Sequence, residues 1–518
     1  MIKITINNRE VEAEEGSMLL EVSVGAGFPI PAMCYNGQEE HFTSCMICLV
    51  KERTTGKLLP SCSVRVAPGM DIVTEDDEIR TARKTALELL LSEHVGDCEA
   101  PCRIACPAFM DIPRMNRLIA AGQVQQALEV VRRDIALPAV LGRICPAPCE
   151  GACKRRPIDQ PVAICLLKRF TADESGPLML PETATTGKKV AIIGAGPAGL
   201  SAAFYLQQKG IQAVIFDRNP LPGGSLQYEI PDEKLDKSVL AGEISLIRQT
   251  GVQFRPDQLI DATAFERLRR DYDAVVVATG NHSAALDSWG IEHNGKQLQA
   301  DKSTHQTGLE GVFAIGNANR PGKLAIRSAA QGKEVAKSIE QLFSGEPVRG
   351  ETRRFNSSFG RLMEEEFPEY LKEGSPDKRQ QARGKPGNGF DPDQARMEAA
   401  RCMHCDCRKP DHCKLRDYAG MYKASRRRFS YSSRKPVRKF MQDEGVVYEP
   451  GKCIKCGICV RLTARHQETF GFTFIGRGFD VEIGVPFNET LDKALVKTAQ
   501  AVALACPTGA LCFSKNSI

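Results

Sequence analysis

Residues 188–218 read KKVAIIGAGPAGLSAAFYLQQKGIQAVIFDR. A short apolar run leads into Gly194-x-Gly196-x-x-Gly199, a helical stretch opened by Pro197 and Ala198 follows, and a second apolar run ends at Asp217. That order is a strand, a tight glycine turn, a helix and a second strand. The glycines let the backbone approach a pyrophosphate at the helix amino terminus, and Asp217 is positioned to bind a ribose hydroxyl. GxGxxG alone is weak evidence. With the strand before it, the helix after it and the acid about 20 residues on, it specifies a dinucleotide site.

Outward from this unit, the chain of 518 residues has room for three to four domains. The net charge of +5 and 26% charged residues are an ordinary balance. No apolar run reaches the roughly 20 residues of a membrane span, and MIKITINNREVE lacks the layout of a signal peptide, so the cytoplasm is the expected location. One tryptophan and nine tyrosines offer little stacking surface, which argues against nucleic acid as a partner. The basic stretch SRRRFSYSSRKPVRK (425–439) reads as a solvated face or a strip for an acidic protein. Twenty cysteines are too many for a reducing compartment unless they are metal or redox ligands.

The expected fold class is multidomain α/β and α+β. Residues 1–92 read as a β-grasp [2Fe–2S] domain and 93–172 as a cysteine-dense helical block. Residues 187–345 form a Rossmann-like unit. Residues 346–415 read as an extended linker ending in a four-cysteine motif, and 440–518 as a ferredoxin-like domain.

Cys34-x10-Cys45-x2-Cys48-x13-Cys62 places two ligands in a tight loop and one on each flank, which suits a [2Fe–2S] cluster, the alternative being zinc or free thiols. Cys402, Cys405, Cys407 and Cys413 suit a [4Fe–4S] cluster or a tetrahedral zinc, and the iron-rich surroundings favour the cluster. Near the end, Cys453-x2-Cys456-x2-Cys459 begins like a bacterial ferredoxin, but Thr463 stands where a fourth cysteine belongs. Cys506-Pro supplies the distant ligand. Counting back from it, the second cluster's remaining positions are Val496, Ala499 and Val502. All four positions of one cluster are cleared and all four of the other kept, so one cluster is expected here.

The amino-terminal pattern ("FPIPAMCY", "TSCMICLV", "LPSCSVRVAPGMDIVTED") and the tail ("GRGFDVEIGVPF") resemble the large iron–sulfur subunit of respiratory complex I and iron-only hydrogenases. The block HVGDCEAPCRIACP with CPAPCEGACKRRPIDQPVAICLLKRF resembles the glutamate synthase small subunit and dihydropyrimidine dehydrogenase. That resemblance implies one cluster on Cys98, Cys102 and Cys153 and another on Cys106, Cys145 and Cys149, each short of a fourth ligand. The family's first cysteine falls at Val95 and its final Glu or Gln at Lys168. His94, in a His-x3-Cys pair like that of complex I, and Cys165, one helical turn before Lys168, are the substitutes proposed for opposite clusters. The alternatives are a helix-capping histidine and a small core residue.

The resemblance to the glutamate-synthase type extends to Gly223-Gly224, Thr279-Gly280 and Gly316-Asn317, and implies FAD rather than NAD at the glycine loop. It also implies a helix after Gly316 aimed at the flavin. Asn317 replaces the family's Asp, and Glu229 replaces a Gly in the flavin-proximal loop. The family inserts an NADPH domain after the position of Gly280. Here the chain returns within about 30 residues, less than the two βαβ units a dinucleotide domain needs.

No catalytic residue is identifiable. The expected function is an electron-transfer subunit carrying FAD, one [2Fe–2S] cluster and three to four [4Fe–4S] clusters. Its expected partners are an NAD(P)H-oxidising, diaphorase-type flavoprotein on one side and a ferredoxin, hydrogenase or formate dehydrogenase-type subunit on the other. The alternatives are a self-contained glutamate-synthase-like oxidoreductase and a scaffold subunit whose flavin is structural.

Overall fold

The structure is a computed structural model that describes residues 1–37, 43–174, 183–281, 288–383, 388–429, 434–443 and 445–514. Parts of the 171–189 linker and of the basic stretch therefore lie outside the described residues. The chain divides into two compact units. The first comprises Met1–Glu99, Arg354–Lys372 and Cys405–Ile518, and the second Ala100–Arg353 and Glu373–His404.

In the first unit, strand Ile2–Ile6 turns back through Asn7 and Asn8, both left-handed (φ 49° and 66°), onto Arg9–Ala13. Asparagine tolerates that conformation, which matches the twist of a tight hairpin. These strands, with Asp71–Val73, Leu49–Glu52 and Leu58–Pro60, make a five-stranded sheet. Its core of Ile4, Ile6, Leu19, Val50 and Ile72 also buries Cys48 and Cys62. Helix Asp77–Ser92 starts where the Asp76 carboxylate accepts the Ile79 amide at 2.7 Å. From this helix the buried Arg83 donates to the Leu49 and Thr74 carbonyls and the Tyr422 hydroxyl. That network locks the helix between the sheet and the segment behind helix Lys414–Met421. The tail pairs strands Val446–Tyr448 and Leu511–Phe513 antiparallel, with helices Ile458–Arg465 and Ala499–Ala505 over its apolar core.

The basic stretch is largely spent inside this unit. Arg428 pairs with Glu88, Arg434 with Glu366 and Arg438 with Glu482, and Lys435 donates to the Phe479 carbonyl.

The second unit begins with short helices, among them Pro101–Ala105, Pro138–Ile144, Pro148–Gly151 and Ile164–Glu174. A parallel five-stranded sheet follows, ordered Val312–Ala314, Ala274–Val277, Lys189–Ile193, Gln212–Phe216, Gln253–Arg255. Helix Ala325–Phe343 lies on helix Pro197–Gln208 so closely that a Cβ on Gly332 would meet the Ala198 carbonyl oxygen at 2.5 Å. The two parts of this unit are joined by the buried Glu243, whose oxygens accept the Ala139 and Val140 amides at 2.9 Å each.

Residues 373–404 carry little regular structure before helix Pro392–Ala400, yet they are pinned. Buried Arg155 donates to the carbonyls of Ser375 and Arg401, and Arg401 pairs with Glu398 and Asp159. Composition alone reads as a loose linker, and these buried guanidinium networks fix the path instead. Among the described residues, no helix is long and apolar enough to cross a membrane.

Candidate cofactor sites

Cys34, Cys45, Cys48 and Cys62 are all buried at the end of the first sheet. Cys34 hydrogen-bonds to Cys45 and Cys62, and Cys48 to Cys62. The bond from Cys45, then that from Cys62, holds the Cys34 thiol far below its usual pKa. The same contacts push Cys45 and Cys62 up. Four sulfurs in contact, with the backbone amides of Ser44 and Cys45 aimed at Cys34, form the donor shell that a [2Fe–2S] cluster requires.

In the tail, Cys453, Cys456, Cys459 and Cys506 converge on one apolar cavity walled by Tyr448, Ile483 and Leu511. Left-handed Lys455 and Gly457 (φ 55° and 70°) curl the loop around it, and the Lys455 amide donates to the Cys453 sulfur at 3.3 Å. Burial and the neighbouring Cys506 push the Cys453 thiol to about 12. Where the second ferredoxin cluster would sit, Thr463 is instead packed. It donates to the Val460 carbonyl and accepts the Phe472 amide, each at 3.0 Å. Val502 is buried, whereas Val496 is exposed.

In the second unit, Cys165 hydrogen-bonds to Cys145 and Cys149, and Cys106 lies in electrostatic reach of Cys145. Lys168, buried one turn beyond Cys165, faces the same four sulfurs. Burial opposes its charge, yet Cys165, Cys145, Cys106 and Cys149 hold its pKa above the usual lysine value. The family resemblance marks Lys168 only as a lost ligand; the structure makes it the cation beside the set.

The remaining cysteines divide between the units. Cys98, Cys405, Cys407 and Cys413 fall in the first, and Cys102, Cys153 and Cys402 in the second. The latter three share one hydrophobic core. Cys98 meets Cys407 directly, the Cys407 amide donating to the Cys98 carbonyl at 3.2 Å. His94 is buried, and burial, then Lys452 and Arg426, depress its imidazole to about 3. Among the described residues, no three His, Cys, Asp or Glu side chains surround a single-ion position. Iron–sulfur clusters, with several irons, need their ligands spread more widely than one zinc does.

The glycine loop has the geometry that its spacing implies. Gly194 (φ 113°) lies so close to the neighbouring strand that a Cβ would meet the Ala278 carbonyl oxygen at 2.5 Å. On Gly199 a Cβ would strike the Gly194 oxygen at 2.0 Å. Gly196, at the start of helix Pro197–Gln208, faces open space: a Cβ there meets nothing within 4 Å. A dinucleotide's phosphates need that opening. Asp217 braces the loop, its carboxylate accepting the Ala195 amide at 2.6 Å and the Asn219 amide at 2.8 Å. Each oxygen keeps a second lone pair for a ribose hydroxyl.

Gly224 (φ 55°) packs on Gly196, and Gly280 (φ 73°) opens the loop after Thr279. Gly316 donates its amide to Gln331 at 2.6 Å, and Asn317 accepts from the Gly322 amide at 3.0 Å. The expected helix after Gly316 is a single 3-10 turn, and the long helix starts only at Ala325, because Pro321 and Gly322 interrupt it. Glu229 is exposed at the end of helix Ser225–Tyr228. Gln331 and Gly332, which seat Gly316 and the helix crossing, have no motif that sequence reading could have found.

Comparison with known proteins follows the same divisions. Residues 1–77 match the family described as a 2Fe-2S iron-sulfur cluster binding domain. Residues 80–177 match dihydropyrimidine dehydrogenase domain II, 4Fe-4S cluster, and 188–299 match pyridine nucleotide-disulphide oxidoreductase. The chain is 41% identical over 212 residues to the NADP(+)-dependent formate dehydrogenase subunit beta of Moorella thermoacetica, covering 36% of this chain and 30% of that protein. It is 36% identical over 251 residues to a subunit of the NAD-dependent dihydropyrimidine dehydrogenase of Escherichia coli, covering 45% and 61%. To the glutamate synthase small chain of Bacillus subtilis it is 39% identical over 201 residues, covering 36% and 40%. The chain thus spans about a third of the formate dehydrogenase subunit and three fifths or less of the other two. It joins a 2Fe-2S domain, a 4Fe-4S domain and a nucleotide-binding oxidoreductase domain in one polypeptide related to subunits of redox enzymes.

Proposed function

We propose that the chain is an electron-transfer subunit of a multi-subunit oxidoreductase, passing electrons through iron–sulfur clusters and FAD. The observation that carries this reading is one buried core of the first unit that holds Cys34, Cys45, Cys413 and Cys456 together. These cysteines come from three separate ligand motifs. Ligands that share a core leave only short gaps between the groups they hold, as a relay requires. Cys456 lies in electrostatic reach of Cys34, and Cys413 in reach of Cys506.

In this reading Cys34, Cys45, Cys48 and Cys62 hold the [2Fe–2S] cluster. Cys453, Cys456, Cys459 and Cys506 hold one [4Fe–4S] cluster, and Cys106, Cys145, Cys149 and Cys165 another. The loop Gly194–Gly199, Asp217, Gly224 and Gly280 cradles FAD. Flavin exchanges one or two electrons, which suits it to join a two-electron partner to one-electron clusters. Only residues 281–311 separate Gly280 from the returning strand, which leaves a second dinucleotide domain no room. Hydride oxidation therefore belongs to a partner, an NAD(P)H-oxidising flavoprotein, and electrons leave to a ferredoxin or a terminal subunit.

The test is stopped-flow reduction of the reconstituted chain. Dithionite should reduce clusters and flavin, whereas NADH and NADPH should not bleach the flavin until an NAD(P)H-oxidising flavoprotein is added. Hydride transfer needs the nicotinamide held within about 3–3.5 Å of the flavin. Rapid bleaching by NADPH in the chain alone would replace this reading with a self-contained reductase.

A further inference from the structure

We propose that His94, Cys98, Cys407 and Cys413 together hold one [4Fe–4S] cluster of the first unit, so that the second unit is inserted inside a single ligand set. This rests on the reading that the chain binds iron–sulfur clusters, and it changes which residues share one. The family resemblance groups Cys98 with Cys102 and Cys153, and sequence spacing groups Cys407 and Cys413 with Cys402 and Cys405. Chain contacts assign Cys98, Cys407 and Cys413 to the first unit and Cys102, Cys153 and Cys402 to the second. The chain leaves the first unit after Glu99 and re-enters at Cys405, with the excursion Arg354–Lys372 between.

At the junction the two ends of the first unit are stitched together. The Cys407 amide donates to the Cys98 carbonyl at 3.2 Å. Ser357, from the excursion, accepts the Cys98 amide at 3.0 Å and donates its own amide to the Cys98 sulfur at 3.4 Å. Amide donors to a sulfur are a common feature of cluster ligands. Cys407 lies in electrostatic reach of both Cys98 and Cys413, which brings cysteines more than 300 positions apart in the chain into one neighbourhood.

His94 supplies the fourth position. The residue is 8% exposed, and its ring makes no hydrogen bond among the described residues. A Cβ built on Gly96 would lie 3.2 Å from His94 Nε2 and 2.7 Å from Lys452 Cε. The stem of the same lysine runs past Cys407, because a Cβ on Gly509 would meet Cys407 Sγ at 2.5 Å and Lys452 Cδ at 3.6 Å. The imidazole and the Cys407 sulfur therefore flank the same lysine side chain. A neutral imidazole in place of a thiolate removes one negative charge, and the Lys452 ammonium adds a positive one. Both changes raise the reduction potential of whatever these ligands hold. The regrouping leaves Cys102, Cys153 and Cys402 as a separate set in the second unit.

The experiment uses the full chain, reconstituted with iron and sulfide, reduced and examined by electron paramagnetic resonance. Cys98→Ser, Cys407→Ser and Cys413→Ser should each remove or alter the same signal, and Cys102→Ser and Cys153→Ser a different one. With 15N-labelled histidine, pulsed spectra should show a nitrogen coupling on the first signal, and His94→Cys should abolish that coupling while a cluster signal remains. If a serine variant does not fold, the nitrogen coupling alone decides. A signal shared by Cys98→Ser and Cys102→Ser, or a coupling that survives His94→Cys, would overturn the proposal while leaving the iron content of the unsubstituted chain intact. An unsubstituted chain that took up no iron would instead overturn the relay reading on which it rests.

Discussion

Gly196 and Gly199 belong to one motif, and their substitution separates ligand binding from folding. At Gly196 the backbone (φ −76°, ψ −178°) accepts any side chain, and a Cβ meets no atom within 4 Å. Gly196→Ala should therefore cost the free protein about 1 kcal/mol at most, the penalty of alanine at a helix cap. At Gly199 the added methyl would lie 2.0 Å from a backbone oxygen that cannot swing away. Gly199→Ala should cost about 1–3 kcal/mol through overpacking. Gly196→Val fills the space through which a pyrophosphate approaches. A hundredfold loss of FAD affinity, about 2.8 kcal/mol, is the expected floor. At FAD one hundred times the wild-type Kd, binding stabilises the wild type by about 2.7 kcal/mol, and the valine variant by a few tenths at most. The single tryptophan supplies the assay. Trp289 is 4% exposed and stacks on Phe265 at 5.1 Å in the nucleotide-binding part of the chain. Its fluorescence through a urea titration, with and without FAD, gives both quantities. Wild-type FAD affinity in Gly196→Val would show that no phosphate approaches this loop.

Two further predictions follow from the tail and from the Glu243 junction. Cys506→Ser should remove one cluster's worth of iron, about four atoms, from the full chain. Thr463→Cys should add none, because the buried hydroxyl is committed to Val460 and Phe472; iron analysis that rises by four atoms in Thr463→Cys would refute this. Burial pushes the Glu243 carboxyl from its ordinary 4.5 up to about 7. A raised carboxyl means that the folded state binds more protons between those values, so the stability of this junction should fall as pH rises through them and be fully lost above about 7. The loss should reach at most about 3 kcal/mol. The difference in urea midpoint between wild type and Glu243→Gln, read at Trp289 from pH 4.5 to 8, should trace that fall, and a difference independent of pH would contradict it.

Spacing is most legible where little chain intervenes between the residues concerned. The strand–loop–helix of residues 188–218 needs three glycines for three separate reasons, and each reason is visible as a distance. The convergence of Cys453, Cys456, Cys459 and Cys506 is equally local, since a tight loop and one distant cysteine leave little freedom. Cys165 was harder. Its place beside Cys145 and Cys149 follows from a helix face, which a periodicity of 3.6 residues exposes even without a motif. The path of residues 373–404 could not be read at all. Glycine, proline and charge look like solvated chain until Arg155 and Arg401 are seen buried against specific carbonyls and carboxylates, and those partners lie more than 200 positions away.

The proposed regrouping of Cys98 bears on how far ligands can be assigned from a resemblance or from spacing. A spacing argument assumes that neighbours in the chain are neighbours in space, and loops of a few residues justify that. After Glu99 the chain departs into another compact unit, returns for Arg354–Lys372 and comes back again at Cys405. An insertion can enter such a place only if the two ends that it leaves behind already lie side by side. The amide of Cys407 on the carbonyl of Cys98, with Ser357 clasping the same cysteine, supplies that closure. Loop-closure entropy grows only with the logarithm of loop length, so a long excursion costs little more than a short one once its ends are pinned. Metal ligands on both ends, as proposed, would pin them more firmly still, since losing one ligand would release both. Cluster assembly in the first unit should therefore depend on residues either side of the inserted unit while being indifferent to the glycine loop within it. Gly196→Val, which is expected to lose FAD, should leave the signal assigned to Cys98, Cys407 and Cys413 unchanged.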